Sequence, residues 1–540
     1  MPVLQSMLRY WHTLRHLKPG QFTARAWHRF HRPRVDRSPA PAMVHPQGQW
    51  VAPIARERSV VGDSATFLNV TRDIARAACW NDASIPKLWL YNLHYHEDLL
   101  DPDPARRSEQ RDFMRRWVIE NPPAAGNGWE PYPISLRTVA WIKWSVGAGG
   151  LPDDLRQSLA VQVRWLGERI EHHLLANHLF VNAKALAMAG LAFEGPEGDR
   201  WLRTGLALLR RELPIQVLPD GGHFELSPMY HALILEDLLD LINAARAWPG
   251  RVDQATIDAW MRTAASMLGW LRTMVHPDGG IPFFNDAAFG IAPEASSVVA
   301  YAARLGIVPA PAMVADVVDL PSSGYVRASR GPATILCDTA AIGPDEQPGH
   351  AHADTLSFEF SLGDQRVVVN GGTSTYAIGA QRSNERSTRW HSTLEFDGRD
   401  SSEVWGGFRV ARRARIVARS VGVGPGGAVT IRGAHDGYAR LRRGAVHQRT
   451  WMLTDAQLVI EDSFPHRPSR VRMLLHPSVE PIGASRFRLP DGRALSLHVD
   501  GGDAVVEPAS WSPGFGRIVP THCIVIPMQG PSLRIDLSWT

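Results

Sequence analysis

The chain has 540 residues, 44% of them hydrophobic and 21% charged, which excludes disorder, collagen and coiled coil and leaves room for two large domains or roughly three to four of average size. A net charge of +4 over this length is not a nucleic-acid footprint, although it suits an anionic substrate. Cys79, Cys337 and Cys523 lie too far apart for a disulfide framework or a CxxC metal site, and no run reaches the ~18 apolar residues of a membrane helix.

Residues 1–35 carry seven lysines and arginines and no acid before Asp36. Leu4, Leu8, Trp11 and Leu14 recur at helical spacing, while Arg9 and Arg15 interrupt any run that a secretory signal would need. The pattern predicts a basic amphipathic helix packed on its own domain, with a membrane-surface contact as the alternative use of the same residues. It places the protein in the cytoplasm, with the periplasm as the alternative. Residues 36–65, rich in Pro, Ala and Arg, read as a surface linker.

From about residue 66 to 310 the pattern is helical. Leu155, Leu159, Val163, Leu166 and Ile170 form one stripe, Ala183, Leu186, Ala187, Gly190 and Leu191 a second, and Leu233, Ile234, Leu238 and Ile242 a third. Ser227-Pro228 reads as an N-cap followed by proline at the first helical position. Near residue 320 the period changes to two. Leu356, Phe358 and Phe360 alternate with Ser357, Glu359 and Ser361, and Leu533, Ile535 and Leu537 with Arg534, Asp536 and Ser538. Together with the Val367-Val368-Val369 run, this predicts antiparallel sheets with one face in solvent. Helices first and strands later imply two domains in series, with a cleft between them as the default site.

Four segments concentrate residues able to do chemistry: Glu171 to Lys184, Asp220 to His231, Gly349 to Asp354 and Arg386 to Ser392. Taken singly, Asn177, Tyr230 and His391 each have a structural reading, as a turn cap, a buried phenol and a hydrogen-bonded core imidazole. His350-Ala351-His352 says more, because in a strand both imidazoles would point to one face. A glycosidase needs two carboxyls flanking the bond, and these clusters offer only Glu225 and Asp354 as isolated acids. Amide and imidazole donors that neutralise a carboxylate, with a tyrosine or histidine that moves a proton, fit β-elimination better than hydrolysis.

At these segments the sequence resembles the heparinase II/III-like superfamily of polysaccharide lyases. The resemblance includes Leu88 to Tyr95, Gly128-Trp129-Glu130-Pro131-Tyr132-Pro133, Asn370 to Tyr376 and Val404 to Arg409, and it covers roughly residues 85–540. It is nearest to members that accompany bacterial exopolysaccharide clusters. The resemblance implies an N-terminal incomplete (α/α) toroid over residues 66–315 and a C-terminal antiparallel β-sandwich over 316–540, preceded by the basic helix and linker of 1–65.

The resemblance also implies roles. Asn177, helped by His178, would neutralise a uronate carboxylate. Tyr230 would be the catalytic tyrosine, delivering a proton to the leaving oxygen. His350 would be the cleft base or carboxylate partner, and His391 a further catalytic histidine. Tyr376, His223, Glu225, Trp129 and Arg386 join His178 as substrate-binding positions. No cofactor is required. A structural zinc in relatives maps to His352, Asn370 and His391, with Asn where an anionic ligand is expected. The implied partner is an acidic polysaccharide. A hydrolase using Glu225 or Asp354, and a non-catalytic glycan-binding factor in exopolysaccharide assembly, are the competing readings.

Overall fold

The helices of the first half sort into two layers by how much of their circumference is apolar. The computed structural model describes residues 2–309, 316–483 and 485–540. Pro2–Leu14 (α1) and Pro19–Phe30 (α2) form an N-terminal pair. Lys87–Tyr95 (α3), Arg107–Glu120 (α4), Pro131–Ala148 (α5), Asp153–Glu168 (α6), Ala176–Ala192 (α7), Gly195–Gln216 (α8), Pro228–Ala247 (α9), Gln254–Met274 (α10) and Ala295–Arg304 (α11) follow.

Helices α5, α7 and α9 are buried on nearly every side, whereas α4, α6, α8 and α10 bury a single stripe. A helix that is apolar all round must lie inside and one with a single stripe must cover it, which yields the inner and outer rings of an incomplete (α/α) toroid. The second and third predicted stripes lie on the inner helices α7 and α9. The first lies on the outer helix α6, with Ile170 just beyond its end. Helices α7 and α8 approach closely at Gly205, where a Cβ would stand 2.5 Å from the Ala187 nitrogen.

Two expectations about the first half need correction. Residues 66–73 are not helical: Val60–Val61, Ser64–Phe67 and Val70–Asp73 form a small antiparallel sheet. Nor is the stretch before it a free linker. The Val44 N–H donates to Ala192 and the Gln47 and Gly48 N–H groups to Ala247, so the segment is strapped across the ends of α7 and α9, satisfying their carbonyls. The boundary drawn at residue 315 falls outside the described residues, as does the side chain of Leu4.

The second half is a sandwich of two antiparallel sheets. One runs in the order Ile416–Val423, Val429–His435, His447–Leu453, Gln457–Ser463, Ser532–Trp539, Ala494–Asp500, Arg486–Arg488 and Glu480–Pro481. In it Leu533, Ile535 and Leu537 face inward and their neighbours outward, as the alternation predicts. The other sheet runs from Val505–Gly514 and Arg517–Pro527 through Ser469–Leu475, Gln365–Val369 and Phe358–Leu362 to Ala333–Asp338, Tyr325–Arg330 and Val317–Leu320.

Here the predicted solvent face does not exist. Ser357, Glu359 and Ser361 are fully buried. Phe358 and Phe360 fill the sandwich core, while Val369, Leu474 and Trp511 of the same sheet join the toroid core. A sheet clamped between two cores must satisfy its polar residues internally. Glu359 accepts the N–H groups of Phe283 and Asn370, and His276 bridges Glu359 at 2.8 Å and Ser361 at 2.7 Å.

Candidate active site between toroid and sandwich

The inner helices α5, α7 and α9 all begin at one cleft of about 950 Å³, closed on the far side by the sandwich. Tyr132 stands in the first turn of α5, Asn177 and His178 in that of α7, and Tyr230 in that of α9. Ser227 accepts the Tyr230 N–H at 3.2 Å, so the predicted N-cap is present. The sandwich contributes His350, Tyr376 and Phe408 to the wall, and the small sheet contributes Thr66, Phe67, Val70 and Arg72. Backbone strain gathers here. Leu175 and Ala176 precede Asn177 with φ of 63° and 50°, Leu226 stands near Tyr230 with φ 59°, and Asn285 carries φ 56°.

Asn177, Tyr230, Tyr376 and His350 meet on one wall. The Tyr230 and Tyr376 hydroxyls are 3.1 Å apart, and the Tyr230 ring lies 3.9 Å from that of His350. Burial, reinforced by Tyr376, pushes the Tyr230 phenol well above its ordinary range, so it is a proton donor at neutral pH. The Asn177 backbone N–H donates to Glu225, while its side-chain amide has no hydrogen-bond partner among the described residues and lines the cleft. His178 binds Glu171 at 3.2 Å. Burial opposes its charged form, yet the Glu171 carboxylate wins and raises its pKa.

His350 is held by a carboxylate that sequence reading missed. Its Nδ1 lies 2.9 Å from Asp286 Oδ2, and the Asp286 N–H donates to the His350 carbonyl. Asp286 is fully buried and also receives both terminal nitrogens of Arg382, the Thr373 hydroxyl and His352 Nε2 at 2.8 Å. Burial would raise the Asp286 pKa, but Arg382 and the two imidazoles hold it well below the usual carboxylate range. Donation from Nδ1 leaves His350 Nε2 as the acceptor, 3.6 Å from the Glu225 carboxyl. The available signal was two adjacent polar residues, Asn285-Asp286, inside an apolar run from Ile281 to Phe289.

The other named residues lie behind the wall. His391 is buried, with Nδ1 on the Ser387 carbonyl at 2.8 Å and Nε2 facing His352 at 3.1 Å, so its place gives no contact with a ligand in the cleft. His223 is buried against Gln216, Trp129 donates to the Asn121 carbonyl, and Arg386 clamps the Ala351 carbonyl. None of these lines the cleft. Their polarity serves buried backbone and neighbouring side chains. Glu225 is also buried, and burial raises its pKa. Asp354 binds the Asn285 N–H, away from the wall.

Deeper in the cleft Lys184 binds Asp237 and Asp240, each at 2.6 Å, and Lys143 binds Asp240 at 2.5 Å. These acids are neutralised within the toroid.

The zinc expectation rests on His352, Asn370 and His391. Two imidazole nitrogens do face each other, but Asn370 spends its carbonyl on the Ser392 N–H. Among the described residues no group of three or more His, Cys, Asp or Glu is disposed to hold a metal. The set falls short of a tetrahedral zinc shell.

Two family models match this chain: heparinase II/III N-terminus over residues 153–303 and heparinase II/III-like, C-terminal over residues 312–540. The chain belongs to the heparinase II/III-like family. It is 27% identical over 248 residues to a heparin-sulfate lyase of Pedobacter heparinus, covering 42% of this chain and 36% of that protein. It is 38% identical over 181 residues to a heparin-sulfate lyase of Bacteroides thetaiotaomicron, covering 29% and 25%. These matches therefore span well under half of each relative's length.

Among solved structures, heparan sulfate lyase HepC from Pedobacter heparinus aligns at a TM-score of 0.56 and 18% identity, over 87% of this chain and 79% of that one. Heparinase III aligns at 0.62 and 15% identity, over 83% and 76%. At such identities the likeness establishes the fold, an α/α toroid followed by a β-sandwich.

Proposed function

We propose that this member of the heparinase II/III-like family is a polysaccharide lyase that cleaves a uronic-acid-containing acidic polysaccharide by β-elimination. The polymer is glycosaminoglycan-like, alginate-like or a bacterial exopolysaccharide. The observation that carries this reading is one cleft wall bearing two touching phenols together with an amide and an imidazole Nε2 that have no hydrogen-bond partner among the described residues.

The Asn177 amide, helped by His178, binds the uronate carboxylate and acidifies the proton on the adjacent ring carbon. His350 Nε2 takes that proton. The electron pair forms the C4–C5 double bond and expels the C4 glycosidic oxygen, which receives the Tyr230 hydroxyl proton. Tyr376 supports the Tyr230 oxygen as its proton leaves. The products are a 4,5-unsaturated uronate and a free hydroxyl on the departing chain.

Hydrolysis is disfavoured by the carboxyls. Glu225 and Asp354 do not flank the cleft as a pair, and Asp237 and Asp240 are tied to lysines. The test is ultraviolet absorbance of the conjugated product from a panel of acidic polysaccharides. Absorbance that appears with wild type and is lost in Tyr230→Phe supports elimination. New reducing ends without absorbance would mean hydrolysis, and glycan binding without turnover, unchanged by Tyr230→Phe, would favour the assembly-factor reading.

A further inference from the structure

The two N-terminal helices are built inside out. On α1, Met7, Leu8, Trp11 and Leu14 share one side and are 64%, 39%, 62% and 39% exposed, while His12 and Thr13, with His16 just beyond its end, turn toward the protein. Arg9 pairs with Glu403, and Trp405 donates to the Thr13 hydroxyl at 3.1 Å. On α2, Phe22, Trp27 and Phe30 are exposed, whereas Gln21 is buried and donates to the Glu346 carbonyl, and the His28 ring lies against His173. A helix that merely covers its own domain buries its apolar stripe. These helices anchor through polar atoms and leave the apolar stripe outside.

The charge carried by this N-terminal segment has one sign. Residues 1–35 hold seven basic residues and no acid. Arg15, Arg25, Arg29, Arg32 and Arg34 are exposed and make no ion pair with a carboxylate among the described residues, while Lys18 pairs with Glu346. Exposed Trp, Phe, Tyr and Leu interleaved with unpaired arginine match the interfacial zone of a bilayer, where aromatic rings sit at headgroup depth and cations meet anionic lipid. No helix among the described residues is long and apolar enough to cross a membrane.

We propose that α1 and α2 form a docking surface for an anionic lipid bilayer, on which the protein lies without spanning it. The surface adjoins the cleft: Trp405 touches Tyr10 at 4.9 Å, and Phe408 of the same hairpin lies 5.3 Å from Tyr376. Docking therefore leaves the toroid–sandwich cleft beside the membrane plane, where a surface-bound glycan is met.

The test is co-sedimentation of the full chain with vesicles of phosphatidylcholine alone and of phosphatidylcholine with one third phosphatidylglycerol. The proposal expects binding to the anionic vesicles, at least tenfold weaker binding to the neutral ones, and release by high salt. The triple variant Trp11→Ala, Trp27→Ala, Phe30→Ala replaces exposed rings and should abolish binding while turnover of free glycan stays within about twofold of wild type. No sedimentation with anionic vesicles at low salt would overturn the proposal, as would binding unchanged in the triple variant. A wild-type dimer by analytical ultracentrifugation that the triple variant dissolves would assign the surface to a second copy instead.

Discussion

Replacing Asp286 with Asn tests whether a buried carboxylate sets which ring nitrogen of His350 carries its proton. In the native protein Asp286 answers Arg382 with both oxygens and takes the His350 and His352 protons at 2.9 and 2.8 Å. The amide keeps the shape but removes the charge and offers N–H where an acceptor is required. Leaving the Arg382 guanidinium buried without its partner costs about 3–5 kcal/mol. The same change frees His350 to adopt the other tautomer, with Nε2 protonated and unable to take a proton, and turnover should fall ~10²–10⁴-fold. Arg382→Met is the control, because it is comparably destabilised yet keeps the Asp286–His350 bond. Thermal unfolding gives stability, and unsaturated-product absorbance gives turnover. If both variants lose turnover in proportion to stability, Asp286 does not position His350.

Asp286 also sets a pH dependence. Its folded pKa lies well below the unfolded value, so its stabilisation is present above ~3.9 and is lost as pH falls through the folded value. Acid unfolding followed by circular dichroism should therefore be shifted to higher pH in Asp286→Asn. Tyr230→Phe should reduce turnover ~10²–10⁴-fold while substrate still binds, and wild-type rates would remove Tyr230 from the mechanism. Asn177→Ala should lower turnover far more than thermal stability, because its side-chain amide has no protein partner among the described residues. Lys184→Met should destabilise by about 3–5 kcal/mol, since it separates Asp237, whose pKa burial already lifts to about 6, from its counter-charge. Dialysis against a chelator should leave the elimination rate unchanged, because no step passes through His352 or His391.

The period of the apolar residues alone determined much of this protein. The stripes on α6, α7 and α9, the proline and serine that open α9, and the change of period near residue 320 are local properties, written in the side chains that form each element. Asn177, Tyr230 and His350 were also legible, because their motifs stand out from apolar surroundings. What local pattern could not say is which polar residues face a cavity and which satisfy a buried backbone. His391, His223 and Arg386 look like site residues in sequence and are structural in place. Asp286 and Arg382 look unremarkable and hold the cleft histidine His350. The strand Phe358–Leu362 alternates as though half were wet, yet both faces are dry because the toroid packs on one and the second sheet on the other. Exposure and electrostatic partnership arise only when distant segments meet, and a single segment carries no record of its neighbours.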